Sequence, residues 1–266
     1  MSILRKDYRH SASRANAFID SPAHWIITEL YEFKEPANAR MLMGSAAEEA
    51  AMEGLREKSN NDEQIKHSAE LAFKRLYAEA NNTKTDVPEI VDSSEFVWCQ
   101  EIAVRFVNSL REFGEVVSYQ NEKIVQEKGL TFPIKCITDF EFEDVIIDTK
   151  ATAYLKRLKS GKLDANWYPK DSDVRQQLLY KRVYNKPTML LYSSATDQEA
   201  VDMLDRTAEV DIYQIFHTME YICSIAKSRE DVVKMFPLTM DNFRWGKGMT
   251  NIKEFAKDVW NKVWKI

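Results

Sequence analysis

The chain has 266 residues, 44% of them hydrophobic, which is enough to bury a sizeable core, and a net charge of −5 that argues against a protein coating nucleic acid through its total charge. No stretch approaches the roughly 18 consecutive apolar residues of a membrane span, and the opening Met-Ser-Ile-Leu-Arg-Lys-Asp has no apolar signal region, so a cytoplasmic location with no membrane partner is expected. Three scattered cysteines, Cys99, Cys136 and Cys223, supply neither a disulfide framework nor a four-cysteine zinc or iron–sulfur site.

Ser11 is placed to cap a first helix whose apolar positions run from Ala15 through Phe18, Ile19, Trp25 and Ile26 to Leu30. Ser21-Pro22 interrupts it, and the proline either kinks it or opens a second helix. Helices are predicted from Arg40 to Glu57, with Gly44 and Glu48 on one face, from Asp62 to Ala80, and from Ser94 to Phe113, ending at Gly114. A loop is expected from Asn81 to Pro88. Strands follow over Val116 to Gln126, Thr131 to Phe142 and Asp144 to Lys150, with Lys128-Gly129 as the first turn. A polar loop then runs to Pro169, a helix from Asp171 to Tyr184, a strand from Thr188 to Ser193 and an edge strand from Glu199 to Asp205. Helices from Ala208 to Ala226 and from Ile252 to Trp264 close the chain. The order predicts an α/β fold in one domain over residues 1–266, with its core at about 40–193 and a helical extension at about 206–266.

The second and third strands place charge where a buried hairpin should have none. Phe132, Ile134, Cys136, Thr138, Phe140 and Phe142 share one face with Val145, Ile147 and Thr149, while Asp139, Asp148 and Lys150 share the other. A turn centred between Glu143 and Asp144 makes paired residue numbers sum to 287, setting Asp139 opposite Asp148. Glu143-Asp144 is a poor two-residue turn, but a symmetric four-residue loop leaves the register unchanged. Directly opposed Cβ atoms are roughly 4.5–5.5 Å apart, so the two carboxylates call for a cation between them, and a divalent metal is the simplest candidate. Lys150 lies roughly 6–7 Å along the strand from Asp148, within reach of a water on such a metal. The four histidines are scattered and offer no zinc spacing.

Between Lys150 and Lys186 there are ten Lys or Arg residues and three acids, a local charge of +7 that leaves −12 for the remainder. Lys156, Arg157, Lys159 and Lys162 precede Trp167-Tyr168 there, a mixture suited to a strand held by its phosphates and stacked on its bases. Each feature taken singly has a plainer reading: a strand ending in charged residues, a solvated Glu48, a polar helix face carrying Gln176 and Tyr180, a charged surface loop.

The series Glu48, Asp139, Asp148-Thr-Lys150, Gln176-x-x-x-Tyr180 resembles the PD-(D/E)xK nucleases, in the branch of RecB-type nuclease domains and lambda-type phage recombination exonucleases. The opening Ser11-x-Ser13-x-x-x-x-Phe18-x-x-x-Pro22-x-x-Trp25 is similar to the N-terminal helix of that branch, so the resemblance spans Ser11 to about Ser193. It implies a central mixed sheet flanked by helices and a metal-dependent DNA exonuclease serving recombination or end processing. Glu48, Asp139 and Asp148 would bind Mg²⁺ or Mn²⁺, Lys150 would orient or polarise the attacking water, and Gln176 and Tyr180 would bind the scissile strand or position the lysine. DNA-binding candidates are Lys156, Arg157, Lys159, Lys162 and Trp167, with Arg175, Gln176 and Tyr180 on the next helix. Some members carry an iron–sulfur cluster; Ser21 stands where one of its cysteines would be, so no cluster is expected. Asp148 replaces the commoner glutamate, shortening that ligand by one methylene. Lambda-type relatives form rings around DNA, which raises a homo-oligomeric ring and a single-strand annealing or recombination protein as partners. The alternatives are a structure-specific endonuclease of the same fold, a DNA-end-binding module without catalysis, and a metal protein that is not a nuclease.

Overall fold

The structure, a computed structural model, describes residues 3–34, 37–81, 93–164, 169–203, 206–246 and 250–265. The rest of the predicted loop beyond Asn81 and the Trp167-Tyr168 pair lie outside the described residues. The chain divides into two compact units, one of residues 1–35, 123–136 and 208–266, the other of residues 36–122 and 137–207.

In the first unit, α1 (Ala12–Asp20) starts at Ser11, whose side chain accepts from Arg14 N–H, and stops at Ser21. Pro22 then occupies the first turn of α2 (Pro22–Trp25), where its missing N–H costs nothing. The Ser21 hydroxyl caps His24 and also accepts from the Trp245 indole at 3.0 Å. This unit also contains the α-helices α7 (Ile212–Ile225), α8 (Arg229–Met235) and α9 (Thr250–Trp264).

The second unit contains α3 (Ala39–Arg56), α4 (Asp62–Asn81), α5 (Ser94–Leu110) and α6 (Asp171–Tyr184). Small residues along α3, Ala46, Ala47, Ala50 and Ala51, are fully buried and let α4 and α5 approach closely. Phe73, Phe106, Phe140, Phe142, Ile147 and Leu191 complete that core against the sheet.

The sheet is mixed and five-stranded, in the order β1 (Ser118–Val125), β2 (Ile134–Glu141), β3 (Ile146–Ala151), β4 (Thr188–Ser193), β5 (Gln198–Asp202). β3 is antiparallel to β2 and parallel to β4, and β4 is antiparallel to β5. The parallel step is made by the crossover helix α6. The expected α/β architecture, a mixed sheet flanked by helices, is what the structure has. β2 starts three residues later than the pattern predicts because Pro133 has no N–H for a ladder. The Thr131 and Phe132 amides instead donate to the Glu220 carboxylate, each at 2.9 Å.

Candidate functional site

The hairpin between β2 and β3 sets the site. Phe140 pairs with Ile147 and Glu141 with Ile146, and Phe142 N–H donates to Val145 at 2.8 Å, so the turn is centred on Glu143-Asp144 and paired numbers sum to 287. Continued one step, that register brings Asp139 beside Asp148. Asp139 Oδ2 accepts from Thr149 N–H at 2.8 Å and from the Thr149 hydroxyl at 3.2 Å. Thr149 therefore belongs to the polar cluster and not, as the alternation predicts, to the apolar face alone. The reason is that β3 is an inner strand buried on both sides from Ile146 to Thr149, where period-2 patterning no longer separates core from site.

Helix α3 brings the third acid. Gly44 faces Ala151 of β3, and a Cβ there would make an ordinary contact of 3.7 Å, so the approach of α3 to the strand does not depend on glycine. One turn on, Glu48 lies beside the Thr149 side chain and feels the charges of Asp148 and Lys150. Across the site, Lys150 Nζ forms an ion pair with Asp148 Oδ2 and donates to Gln176 Oε1 at 3.1 Å. Gln176 Nε2 in turn donates to Tyr180 Oη at 2.8 Å. Glu48, Asp139, Asp148, Lys150, Gln176 and Tyr180, far apart in sequence, are thus brought together in one unit.

Burial is the largest influence on all three acids. It pushes Asp139, Asp148 and Glu48 well above the usual carboxylate range, with the neighbouring acids adding to the rise and Lys150 opposing it. Burial also opposes the charge on Lys150, but Asp148, Asp139 and Asp173 together outweigh it and hold the ammonium protonated. Asp148 is 1% exposed, and its Oδ2 makes no hydrogen bond besides the Lys150 ion pair. Among the described residues no group of three or more acids, histidines or cysteines is placed to hold a metal ion as the side chains stand. The donors are hard oxygens, and if all three buried carboxylates were ionised they would exceed the one ammonium by two negative charges, a balance that a divalent cation would restore.

Three neighbours, Tyr192, Asp173 and Tyr119, are not singled out by the sequence. Tyr192 pairs with Lys150 across the β3–β4 ladder and donates its hydroxyl to Asp173 Oδ2 at 2.7 Å. Asp173 precedes Gln176 by three residues on α6, a spacing that could have drawn attention to it, although a first-turn aspartate reads equally as a helix start. Tyr119, on β1, has its hydroxyl pushed up by burial and then by Glu48 and Asp139.

The basic candidates are more varied than their charges suggest. Lys159 and Lys162 are exposed. Lys156 pairs with Asp164 at 2.9 Å, and Arg157 is held by Asp197 and Glu199. Arg175 is buried on α6 at 6% exposure.

No protein-family model matches the sequence, and no curated protein does. Among solved structures, the chain is similar to one from Eubacterium rectale named "Putative exonuclease", with a TM-score of 0.51 at 16% identity over 90% of this chain and 93% of that one. A second solved structure aligns with a TM-score of 0.32 at 12% identity over 73% of this chain and 86% of that one. The first likeness shows a shared fold, a mixed α/β sheet flanked by helices. No helix among the described residues is long and apolar enough to cross a membrane.

Proposed function

We propose that this chain is a divalent-metal-dependent deoxyribonuclease, acting as an exonuclease in recombination or DNA end processing. The observation that carries the reading is the meeting of Lys150 with Asp148 and Gln176 in a buried cluster that also holds Asp139 and Glu48. A purely structural cluster would gain nothing from crowding three carboxylates, and burying unpaired charge costs several kcal/mol per ion. The name of the Eubacterium rectale neighbour supports the exonucleolytic form of the reading.

Glu48, Asp139 and Asp148 would hold Mg²⁺ or Mn²⁺, and Thr149 would align Asp139 and Glu48 for that task. When bound, the cation supplies charge neutralisation at the scissile phosphate and acidifies water near neutral pH. Lys150 presents a protonated ammonium to the same place, where it orients the attacking water and balances charge that develops on the phosphate. Gln176 fixes the direction of that ammonium, and Tyr180 fixes Gln176.

The test is hydrolysis of linear DNA labelled at either end, beside covalently closed circles, with and without Mg²⁺. Mg²⁺-dependent loss of label from linear DNA with circles intact is the expected result. Cleaved circles would replace the exonuclease by an endonuclease of the same fold, and binding without cleavage would replace it by an end-binding module. Metal binding without DNA binding would remove the nuclease reading.

A further inference from the structure

Residues 156–164 form a small hairpin. Arg157 bridges Leu163, Leu158 N–H donates to Lys162 at 2.8 Å, and Asp164 N–H donates to Lys156 at 2.9 Å. Leu158 is 50% exposed near the tip, flanked by the exposed Lys159 and Lys162, which have no ion-pair partner among the described residues.

Arg157 points the other way. Its Nη2 donates to Asp197 Oδ1 at 2.9 Å and to the Gln198 carbonyl at 3.0 Å, and its Nη1 to Glu199 Oε2 at 3.1 Å and to the Gly161 carbonyl at 2.9 Å. Its Nε also pairs with Asp197. A guanidinium with its donors engaged in this way has little left for a phosphate. Two of its partners, Gln198 and Glu199, lie on β5 of the sheet that carries the site: Lys150 pairs with Tyr192, and Tyr192 pairs with Glu199, so the three form one row across β3, β4 and β5. At roughly 4.8 Å per strand, Glu199 lies about 10 Å from the Lys150 backbone.

We infer that the 156–164 hairpin is a finger that grips the DNA strand beside the site, and that Arg157 is a positioning residue that fastens the finger to the row holding Lys150. This rests on the nuclease reading and deepens it. Lys159 and Lys162 contact phosphates and Leu158 lies against a base. The anchor at Glu199, about 10 Å from the Lys150 backbone, keeps the base of the finger beside the site. The positive charge of the finger, adjoining a site that is itself negative, matches a polyanion that must be drawn to carboxylates.

The test is the double variant Asp197→Asn/Glu199→Gln, which removes two negative charges. DNA binding is measured by salt titration in Ca²⁺ to suppress turnover, with hydrogen exchange at the Leu158, Gly161 and Asp164 amides. The finger predicts faster exchange, binding weaker by about threefold or more, and a salt slope smaller by about one unit for each lysine drawn away from its phosphate. Tighter binding would make Arg157 a restrained phosphate ligand and overturn the inference. Unchanged binding with a loosened hairpin would overturn it too, as would amides that keep their protection. A parent protein that binds no DNA at all would fail the nuclease reading itself, which separates the two failures.

Discussion

Lys150 Nζ lies 3.1 Å from Gln176 Oε1, joining β3 to α6 across 26 residues of chain. An amide oxygen fixes the direction of the ammonium without adding a second counter-charge to that of Asp148. Gln176→Ala should therefore lower the single-turnover rate by about 10²-fold, as expected when a reacting group is misplaced by about an ångström, with substrate affinity and Tm little changed. A rate equal to the parent's would mean that Gln176 does not position Lys150.

Thr149 bonds to Asp139 through both its backbone N–H and its hydroxyl, and its side chain also reaches Glu48. Thr149→Val keeps the shape and the backbone bond and removes only the hydroxyl. Partners behind metal ligands are worth about 10–100-fold in affinity, so Mn²⁺ binding followed by calorimetry should weaken by about the lower figure. Equal affinity would take Thr149 out of the metal site.

The raised carboxylates make stability depend on pH. Asp139 and Glu48 rise to about 7 and Asp148 to about 8 through burial and mutual repulsion. In this window the folded state binds more protons than the unfolded one, so stability falls as pH rises from the ordinary carboxylate range through about 8. Denaturant unfolding in EDTA should show that fall, Mg²⁺ should remove most of it, and Asp148→Asn should lessen it. Stability in EDTA that is flat or rises over the window in the parent, relative to Asp148→Asn, would contradict the cluster.

Glu220 accepts from His10 Nε2, Thr131 N–H and Phe132 N–H, each at 2.9 Å. Removing an acceptor costs about 1–3 kcal/mol for each buried donor left unsatisfied, here the His10 ring and the Phe132 amide, since Thr131 is exposed. Glu220→Ala should therefore lower unfolding free energy by about 2–4 kcal/mol, and Glu220→Gln by less. A decrease under about 0.5 kcal/mol would mean that water replaces the carboxylate.

Much of this architecture can be read before folding is considered. The limits of α6 and β4 and the register of the β2–β3 hairpin follow from local signals: a charged first turn, a proline after the helix, and strict alternation. The convergence of Glu48, Lys150 and Gln176 required the resemblance, because nothing local says that three distant elements meet. What stayed hidden is nonlocal or short. α8 is seven residues long and has only Val232 and Val233 buried, too little for a period to show. Arg157 reads as a solvated cation because its acids come about forty residues later, after a helix and a strand. Thr149 is misread because an inner strand buries both faces.

Hydrolysis of end-labelled linear duplex DNA in Mg²⁺ by the parent, Lys150→Ala and Asp148→Ala proteins, with circular dichroism to establish that each is folded, tests the nuclease assignment most directly. The parent should degrade the duplex, and each folded variant should be slower by about 10³-fold or more. A folded variant whose rate stays within about threefold of the parent would contradict the assignment of this cluster as the hydrolytic site.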